Sequence, residues 1–211
     1  MSRALIVPIF PLSGAILFPR AQLPLHIFEP RYREMVREAI DGPGRIGMIQ
    51  PHRVDDDNKA PLFAVGCVGE IVGIEELDDG RYNVVLHGAN RFRLVAERDS
   101  DTLYRCADVD IAAFDDNEPP PLSLGQRAEV EREARRLGDA LGLAVDWEAV
   151  GRLDDEMLVN AIAQVGPFDV GAKQALLEQA TLDGRADLLV QLMQFHRAAV
   201  GGGVDADPTL Q

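Results

Sequence analysis

Residues 115–121 read Asp-Asp-Asn-Glu-Pro-Pro-Pro, and this acidic, proline-rich segment limits the fold more strongly than any other feature of the sequence. Three consecutive prolines offer no backbone N–H group, so the segment can continue neither a helix nor a central strand. Short apolar runs separated by Gly and Pro precede it, whereas apolar residues recur at helical spacing after it. We therefore predict a β-rich subdomain at residues 1–116, a linker at 117–122, a helical subdomain at 123–198 and a disordered tail at 199–211.

The β-rich part is predicted to contain one early helix. Pro30 suits the first position of a helix, because the N–H group that proline lacks would be unpaired there. Gly42-Pro43-Gly44 is a stop signal for the same helix. The apolar residues that follow helical spacing between these points are Tyr32, Met35, Val36, Ala39 and Ile40.

The other apolar runs of this part predict strands, at Ala4–Phe10, Arg45–Gln50, Leu62–Glu75, Arg81–His87, Arg91–Arg98 and Leu103–Phe114. The segment Leu17–Phe28 contains Pro19 and Pro24, so we expect it to be extended but irregular. Asp79-Gly80 lies between two of the strands and is typical of a hairpin turn. Many short strands with one early helix indicate a compact β-barrel or a strongly bent sheet.

The second part of the chain is predicted to be a set of helices. Ser123 and Gln126 have the spacing of a capping box, in which each side chain accepts from the other residue's backbone N–H. Asp154-Asp155-Glu156 opens a further helix with acidic residues at its positive dipole end, and Asp169 is placed to cap another. The last helix is expected to begin near Asp183.

The charge of the chain argues against a nucleic-acid ligand. Its 35 Asp and Glu residues outnumber its 21 Lys and Arg residues, which gives a net charge of −14. A phosphate backbone would be repelled by such a surface. The sequence contains no apolar run long enough to span a bilayer and no signal-peptide pattern at its start, so a cytoplasmic protein without a membrane partner is expected.

The two cysteines, Cys67 and Cys106, lie in strand-like apolar runs. Reduced, buried thiols are the simpler interpretation of such positions, ahead of a disulfide. The four histidines are scattered, and neither they nor the cysteines have metal-ligand spacing. We therefore expect no metal site and no cofactor.

Seven segments form an ordered series, namely Pro8–Leu12, Leu17–Pro19, Leu23–Tyr32, Val65–Ile71, Asp79–Gly88, Arg91–Arg93 and Lys173–Glu178. This series resembles the Lon N-terminal domain family, and it covers nearly the whole chain up to about residue 198. The resemblance implies an α+β fold: an N-terminal PUA-like β pseudo-barrel with one early helix, followed by a C-terminal α-helical bundle. In full-length Lon proteases this region helps to capture unfolded or tagged substrates and supports assembly.

The sequence lacks the motifs that the chemistry of a Lon protease requires. No GxxxxGK[ST] phosphate-binding loop occurs, and the nearest fragment, 171–174, lacks both the spacing and the hydroxyl. A Lon peptidase needs a serine activated by a lysine, yet neither Lys59 nor Lys173 has a serine near it in sequence. We therefore expect a free-standing, non-catalytic module without catalytic residues, ATPase domain or peptidase domain.

The candidate ligand-binding residues cluster in and beside the proline-interrupted segment. Extended backbone of this kind can offer edges and pockets to a peptide, although the same residues can equally pack the first subdomain. The candidates are Phe18, Pro19, His26, Phe28, Arg31, Tyr32, Arg91 and Phe92.

The expected activity is binding of unfolded or extended polypeptide clients, with a role as an adaptor for a separate AAA+ protease or in quality control. An alternative is a small-molecule sensor or carrier that uses a cleft between the two subdomains. RNA binding through the PUA-like barrel is a further alternative, which the acidic balance disfavours. The sequence leaves the oligomeric state and the identity of the client open.

Overall fold

The structure is a computed structural model, and it describes residues 4–53 and 59–201. Its strands are β1 (Ala4–Pro11), β2 (Gln22–Ile27), β3 (Arg45–Pro51), β4 (Leu62–Glu76), β5 (Tyr82–Arg98) and β6 (Arg105–Asp110). Its helices are α1 (Pro30–Asp41), α2 (Leu124–Ala140), α3 (Trp147–Gly151), α4 (Asp155–Val165), α5 (Val170–Glu178) and α6 (Leu182–Gly201). The α+β class expected from the sequence is therefore observed.

The six strands form one mixed sheet in the order β2-β5-β4-β3-β1-β6. Only β1 and β3 run parallel, and the other neighbours are antiparallel. Because β6 also pairs with β5, the strands β5, β4, β3, β1 and β6 close into a ring. Strand β2 lies outside this ring, since it pairs with residues 82–87 of β5 while β6 pairs with residues 93–98.

The main apolar core of the sheet lies against α1. Tyr32, Met35, Val36 and Ala39 are its buried side chains, which confirms the predicted helical stripe except at Ile40, whose side chain is exposed. These residues join apolar side chains of the strands in one cluster, because alternate residues of a strand point to the same face. The exposed Ile40 shows that the apolar stripe is narrower than the sequence pattern predicts.

Three predicted elements differ from those observed. The expected irregular segment contains a true strand, β2, because an edge strand tolerates a proline such as Pro24. The two strands predicted at 81–87 and 91–98 are a single strand, β5, whose interruption is a register shift opposite Val68 and Gly69. The last strand ends at Asp110, where the Asp110 side chain accepts from Ala112 N and caps a short 3₁₀ turn.

The chain divides into two compact units by its internal contacts. The strand unit consists of the described residues up to Glu118 together with Asp169–Glu178, so it includes helix α5. The helical unit consists of Pro119–Phe168 and the described residues from Gln179 onward. The sequence had suggested one boundary near residue 117, whereas the contacts group α5 with the strands.

In the helical unit, α2, α4 and α6 pack against one another through buried residues such as Val130, Leu158 and Leu189. The start of α2 is the predicted capping box, with Ser123 Oγ accepting from Gln126 N and the Gln126 side chain accepting from Ser123 N. Asp154 caps α4 in the same way by accepting from Met157 N at 2.8 Å. The capping box was predicted from the sequence, whereas at Asp154 the sequence predicted only an acidic helix start and the structure adds the side-chain cap.

Both cysteines are free thiols, with Cys67 buried and Cys106 half-buried. Within the described ranges, no helix is both long and apolar enough to cross a membrane. The predicted tail begins inside α6, which runs to Gly201, and residues 202–211 lie outside the described residues. Residues 54–58 also lie outside them.

Candidate functional site

Five of the eight candidate residues lie in the interior of the strand unit. Phe18 and Phe92 are fully buried, Pro19 is buried, and Tyr32 and Arg91 expose 4% and 2% of their surfaces. Burial raises the pKa of the Tyr32 phenol above its ordinary value. In this structure these side chains pack the unit, and none of them presents a surface to a ligand.

Arg91 is the buried charge among them, and its partners explain its position. Its Nε donates to Asp116 Oδ1 at 2.7 Å, and its backbone N donates to Asp116 Oδ2 at 2.6 Å. Its Nη1 donates to Leu177 O at 3.0 Å, and its guanidinium lies 4.6 Å from the Phe114 ring centroid. Arg91 therefore joins β5, the segment after β6 and helix α5.

The other three candidates, His26, Phe28 and Arg31, lie within six residues of one another, and each is at least partly exposed. Phe28 is 60% exposed, and its ring lies 6.3 Å from the His26 ring in a stacked orientation. Arg31 pairs with Glu29 at 2.6 Å, and its guanidinium lies 4.7 Å from the Tyr32 ring centroid. The His26 and Phe28 rings therefore form a small exposed surface at this end of β2.

An open groove of about 490 Å³ crosses strands β2, β5 and β4 beside this surface. Pro24 pairs with Val85, and Val85 pairs with Gly73, so these three residues form one row across the strands. Gly73 lacks a side chain, and a Cβ placed there would contact Val85 at 3.5 Å. The absence of a side chain at Gly73 leaves a depression at this end of the row, beside the side chain of Val85.

The next row of the groove is polar. Asn83 Nδ2 donates to Glu75 Oε2 at 2.7 Å, and Asn83 Oδ1 lies 2.8 Å from His26 Nδ1. Arg81 Nη1 lies 3.3 Å from His26 Nε2, and Arg81 Nε donates to Asp79 at 2.6 Å. A continuous chain of side chains therefore runs across three strands.

His26 has a partner on each side of its ring: its Nδ1 lies within hydrogen-bond distance of Asn83 Oδ1, and its Nε2 within hydrogen-bond distance of Arg81 Nη1. Such a histidine positions its neighbours, and its bonds join it to no nucleophile.

Among the described residues, no group of three or more His, Cys, Asp or Glu side chains is placed to hold a metal ion. The groove thus combines an apolar row with a polar row of hydrogen-bonding groups. This arrangement suits noncovalent recognition of an extended chain, which presents apolar side chains and backbone N–H and C=O groups.

Sequence reasoning missed Gly73, Asn83 and Val85. The Asp79-Gly80 turn was recognised, and extending its hairpin register would have placed Glu75 opposite Asn83, as observed. The pairing of β2 with β5 connects residues about sixty positions apart, and no local pattern specifies it. That pairing is what brings Pro24 and His26 into the groove.

The family model described as the ATP-dependent protease La (LON) substrate-binding domain matches residues 6–194. Lon protease of Anaeromyxobacter dehalogenans is 25% identical over 198 residues, which are 91% of this chain and 23% of that protein. Lon protease 2 of Sorangium cellulosum is 29% identical over 206 residues, or 89% of this chain and 24% of that protein. The chain therefore spans about a quarter of the length of these relatives.

Two solved structures share the fold. The N-terminal domain of Mycobacterium avium complex Lon protease superposes with a TM-score of 0.64 at 18% identity and covers 91% of this chain and 100% of its own. A Lon N-terminal domain protein from Xanthomonas campestris gives a TM-score of 0.64 at 21% identity, and the match covers 89% of this chain and 98% of that one. The likeness extends over both units of the chain.

Proposed function

The chain belongs to the LON substrate-binding domain family, and from this membership we propose that it binds extended polypeptide without performing chemistry on it. The observation that carries the proposal is the groove on β2, β4 and β5, flanked by the exposed ring of Phe28. The proposed clients are unfolded or extended segments with exposed apolar side chains. We further propose that the protein acts as an adaptor that delivers such clients to a separate AAA+ protease.

The same membership supports two finer statements about the fold. We propose that the closed ring of strands is a PUA-like pseudo-barrel, since β6 pairs with both β1 and β5. We propose that the helical unit is a bundle, since α2, α4 and α6 pack together. We also propose that the protein is located in the cytoplasm.

The apolar contacts of a bound peptide would come from the first row and its margins. Pro24 and Val85 form the apolar part of the row. Phe28 adds a large ring at the end of β2. Burying one aromatic or aliphatic side chain against such surface contributes about 1.5–3 kcal/mol before the entropy of binding is subtracted.

The polar contacts would come from the second row. Arg81 has five N–H donors, of which Asp79 and His26 engage only part, so further donors can reach a peptide carbonyl. The Glu75 carboxylate accepts from Asn83 through one oxygen and can accept a peptide N–H through the other. The two ends of the row therefore offer opposite hydrogen-bonding roles.

The edge of β2 limits how the peptide can bind. Strand β2 ends the sheet order, and in the described residues its one strand neighbour is β5. Pro24 supplies no N–H, so a peptide added along this edge would form an interrupted ladder. Side-chain contacts on the face of the groove should therefore contribute more than backbone pairing.

The test is fluorescence anisotropy with a labelled extended peptide that carries alternating Leu and Phe residues. We expect saturable binding that weakens at least about tenfold in Phe28→Ser, since one buried aromatic contact accounts for that factor. Val95→Ser is the matched control, because Val95 is 63% exposed on β5 and does not line the groove. It should leave affinity unchanged.

A second peptide in which every Leu and Phe is replaced by Ser should not bind. Mass spectrometry of the incubated peptide should show it intact, with or without ATP. Equal weakening by both substitutions, or no saturable binding to the apolar peptide, would refute the groove as the site. Cleavage that copurifies with the folded protein would refute the non-catalytic assignment.

A further inference from the structure

The helical unit contains a second concave feature, an apolar cavity of about 170 Å³. Helices α2, α3, α4 and α6 and the segment between α2 and α3 contribute its walls. Its principal side chains are Leu137, Trp147, Leu158, Ile162 and Met193. The groove described above belongs wholly to the strand unit, so the two features share no residue.

The chemistry of the walls restricts what can occupy the cavity. Every lining side chain is apolar, and the remaining lining positions are glycines. A charged or strongly hydrogen-bonding ligand would lose its water contacts there without gaining partners. The cavity is therefore selective for an uncharged apolar group.

Its size restricts the occupant further. A cavity of about 150 Å³ lined by aliphatic and aromatic side chains stays dry and takes up a molecule as small as benzene. At about 170 Å³ this cavity fits a single aromatic or branched aliphatic molecule. A long acyl chain or a nucleoside exceeds it.

Trp147 forms a rigid wall of the cavity. Gly138 lies beneath its ring, where an added Cβ would come within 3.1 Å of Trp147 Cζ2. The Arg135 guanidinium lies 4.8 Å from the ring centroid in a cation–π contact. Both contacts fix the ring, so the cavity exists before any ligand arrives.

The cavity is also open to solvent at one side. Leu143 and Val165 both line it, and they are 57% and 83% exposed. A small molecule can therefore enter between these side chains without unfolding the helices.

We propose that this cavity is a binding site for one small, uncharged aromatic or branched aliphatic molecule. The site is independent of the polypeptide groove and lies within the helical unit alone. It gives the protein a means of responding to a small apolar compound separately from its proposed polypeptide client.

Tryptophan fluorescence can report on the site, because Trp147 is the single tryptophan of the chain and lines the cavity. Toluene is the probe, titrated into the full chain while tryptophan emission and the midpoint of thermal unfolding are followed. We expect a saturable change in emission and a rise in the midpoint, since a ligand that binds the folded state stabilises it. Benzoate, of similar size but charged, should produce neither effect.

Ala161→Leu should abolish the toluene response, because residue 161 lines the cavity and the larger side chain fills it. Ala128→Leu is the matched control on the exposed side of α2 and should keep the response. Phe28→Ser should also keep it, which separates this site from the polypeptide groove.

No saturable response of the unaltered protein to toluene would overturn the proposal, whatever the variants do. A response to benzoate equal to that of toluene would overturn it too. If a Phe-containing peptide changes Trp147 emission while toluene does not, the cavity takes a polypeptide side chain and the small-molecule proposal is wrong.

Discussion

The side-chain amide of Gln50 donates to that of Gln174 at 3.1 Å, although the two residues are 124 positions apart. Each exposes 2% of its surface. Gln50 also bonds Gly14 N and Val170 O, and Gln174 bonds Val65 O and Glu178. Helix α5 is thereby fixed to β3 and β4, and the amide pair explains why α5 belongs to the strand unit.

Gln174→Ala should destabilise the protein by about 1–3 kcal/mol, because it removes one hydrogen-bond partner each from the buried Gln50 amide and the Val65 carbonyl. Urea unfolding followed by circular dichroism measures the free energy of unfolding. Gln194→Ala is the control, since Gln194 is exposed on α6 and its removal should change stability by no more than about 0.5 kcal/mol. A double-mutant cycle with Gln50→Ala should show coupling between the two amides.

Asp116→Ala should cost about 3–5 kcal/mol, because it leaves the guanidinium of Arg91 buried without its carboxylate. Both side chains of this pair are nearly inaccessible, at 3% and 2% exposure. The neighbouring Asp115 is exposed, so Asp115→Ala should have little effect on the midpoint of thermal unfolding. Similar midpoints for the two variants would contradict a structural role for the ion pair.

Gly88→Ala should cost about 3 kcal/mol or more and reduce the yield of folded protein. A Cβ at residue 88 would overlap the Phe18 carbonyl oxygen and approach its carbon at 2.8 Å. Backbone bonds of Gly88 with Arg20 and Ala21 hold the two segments at this distance. The segment therefore cannot shift aside without breaking those bonds.

Gly73→Ala is the comparison on the same sheet, and its cost should stay within about 1 kcal/mol because the added methyl group meets only ordinary contacts. The same change should weaken the proposed peptide binding, since it partly fills the groove. Thermal unfolding of both glycine variants measures the stability costs, and fluorescence anisotropy with the labelled peptide measures the loss of binding. Equal stability losses would contradict the close approach at Gly88.

Tyr104 should make the protein sensitive to alkaline pH. Burial raises its pKa above the ordinary value near 10.0, and its hydroxyl donates to Glu38 Oε2 at 2.5 Å, which raises the pKa further. A phenol whose folded pKa is raised gives stability that is fully present below about pH 10 and lost as the pH rises toward the folded pKa. Tyr104→Phe should therefore lose less stability than the unaltered protein as the pH rises from about 10 to about 11, just above the unfolded pKa of a tyrosine.

Chemical denaturation at a series of pH values measures this difference. At neutral pH the variant should be slightly less stable, because it lacks the hydrogen bond to Glu38. If the free energy of unfolding fell equally with rising pH in both proteins, Tyr104 would not be the source of the alkaline sensitivity.

Local chemistry allowed the sequence to predict several elements closely. The proline at the start of α1, the capping box of Ser123 and the acidic start of α4 all act within one helical turn. The family was also evident, because its segments occur in order along the chain. These features depend on neighbours in sequence, so the sequence alone determines them.

The tertiary structure decided which candidate residues reach the surface. Phe18, Phe92 and Tyr32 have the aromatic composition of a binding surface, yet they are buried because β-sheet closure and α1 enclose them. His26 and Phe28 remained outside because β2 lies beyond the closed ring of strands. The groove, the place of α5 and the burial of Arg91 all depend on contacts between distant segments, whose pairing is settled by packing and hydrogen bonding in the folded chain and not by local pattern.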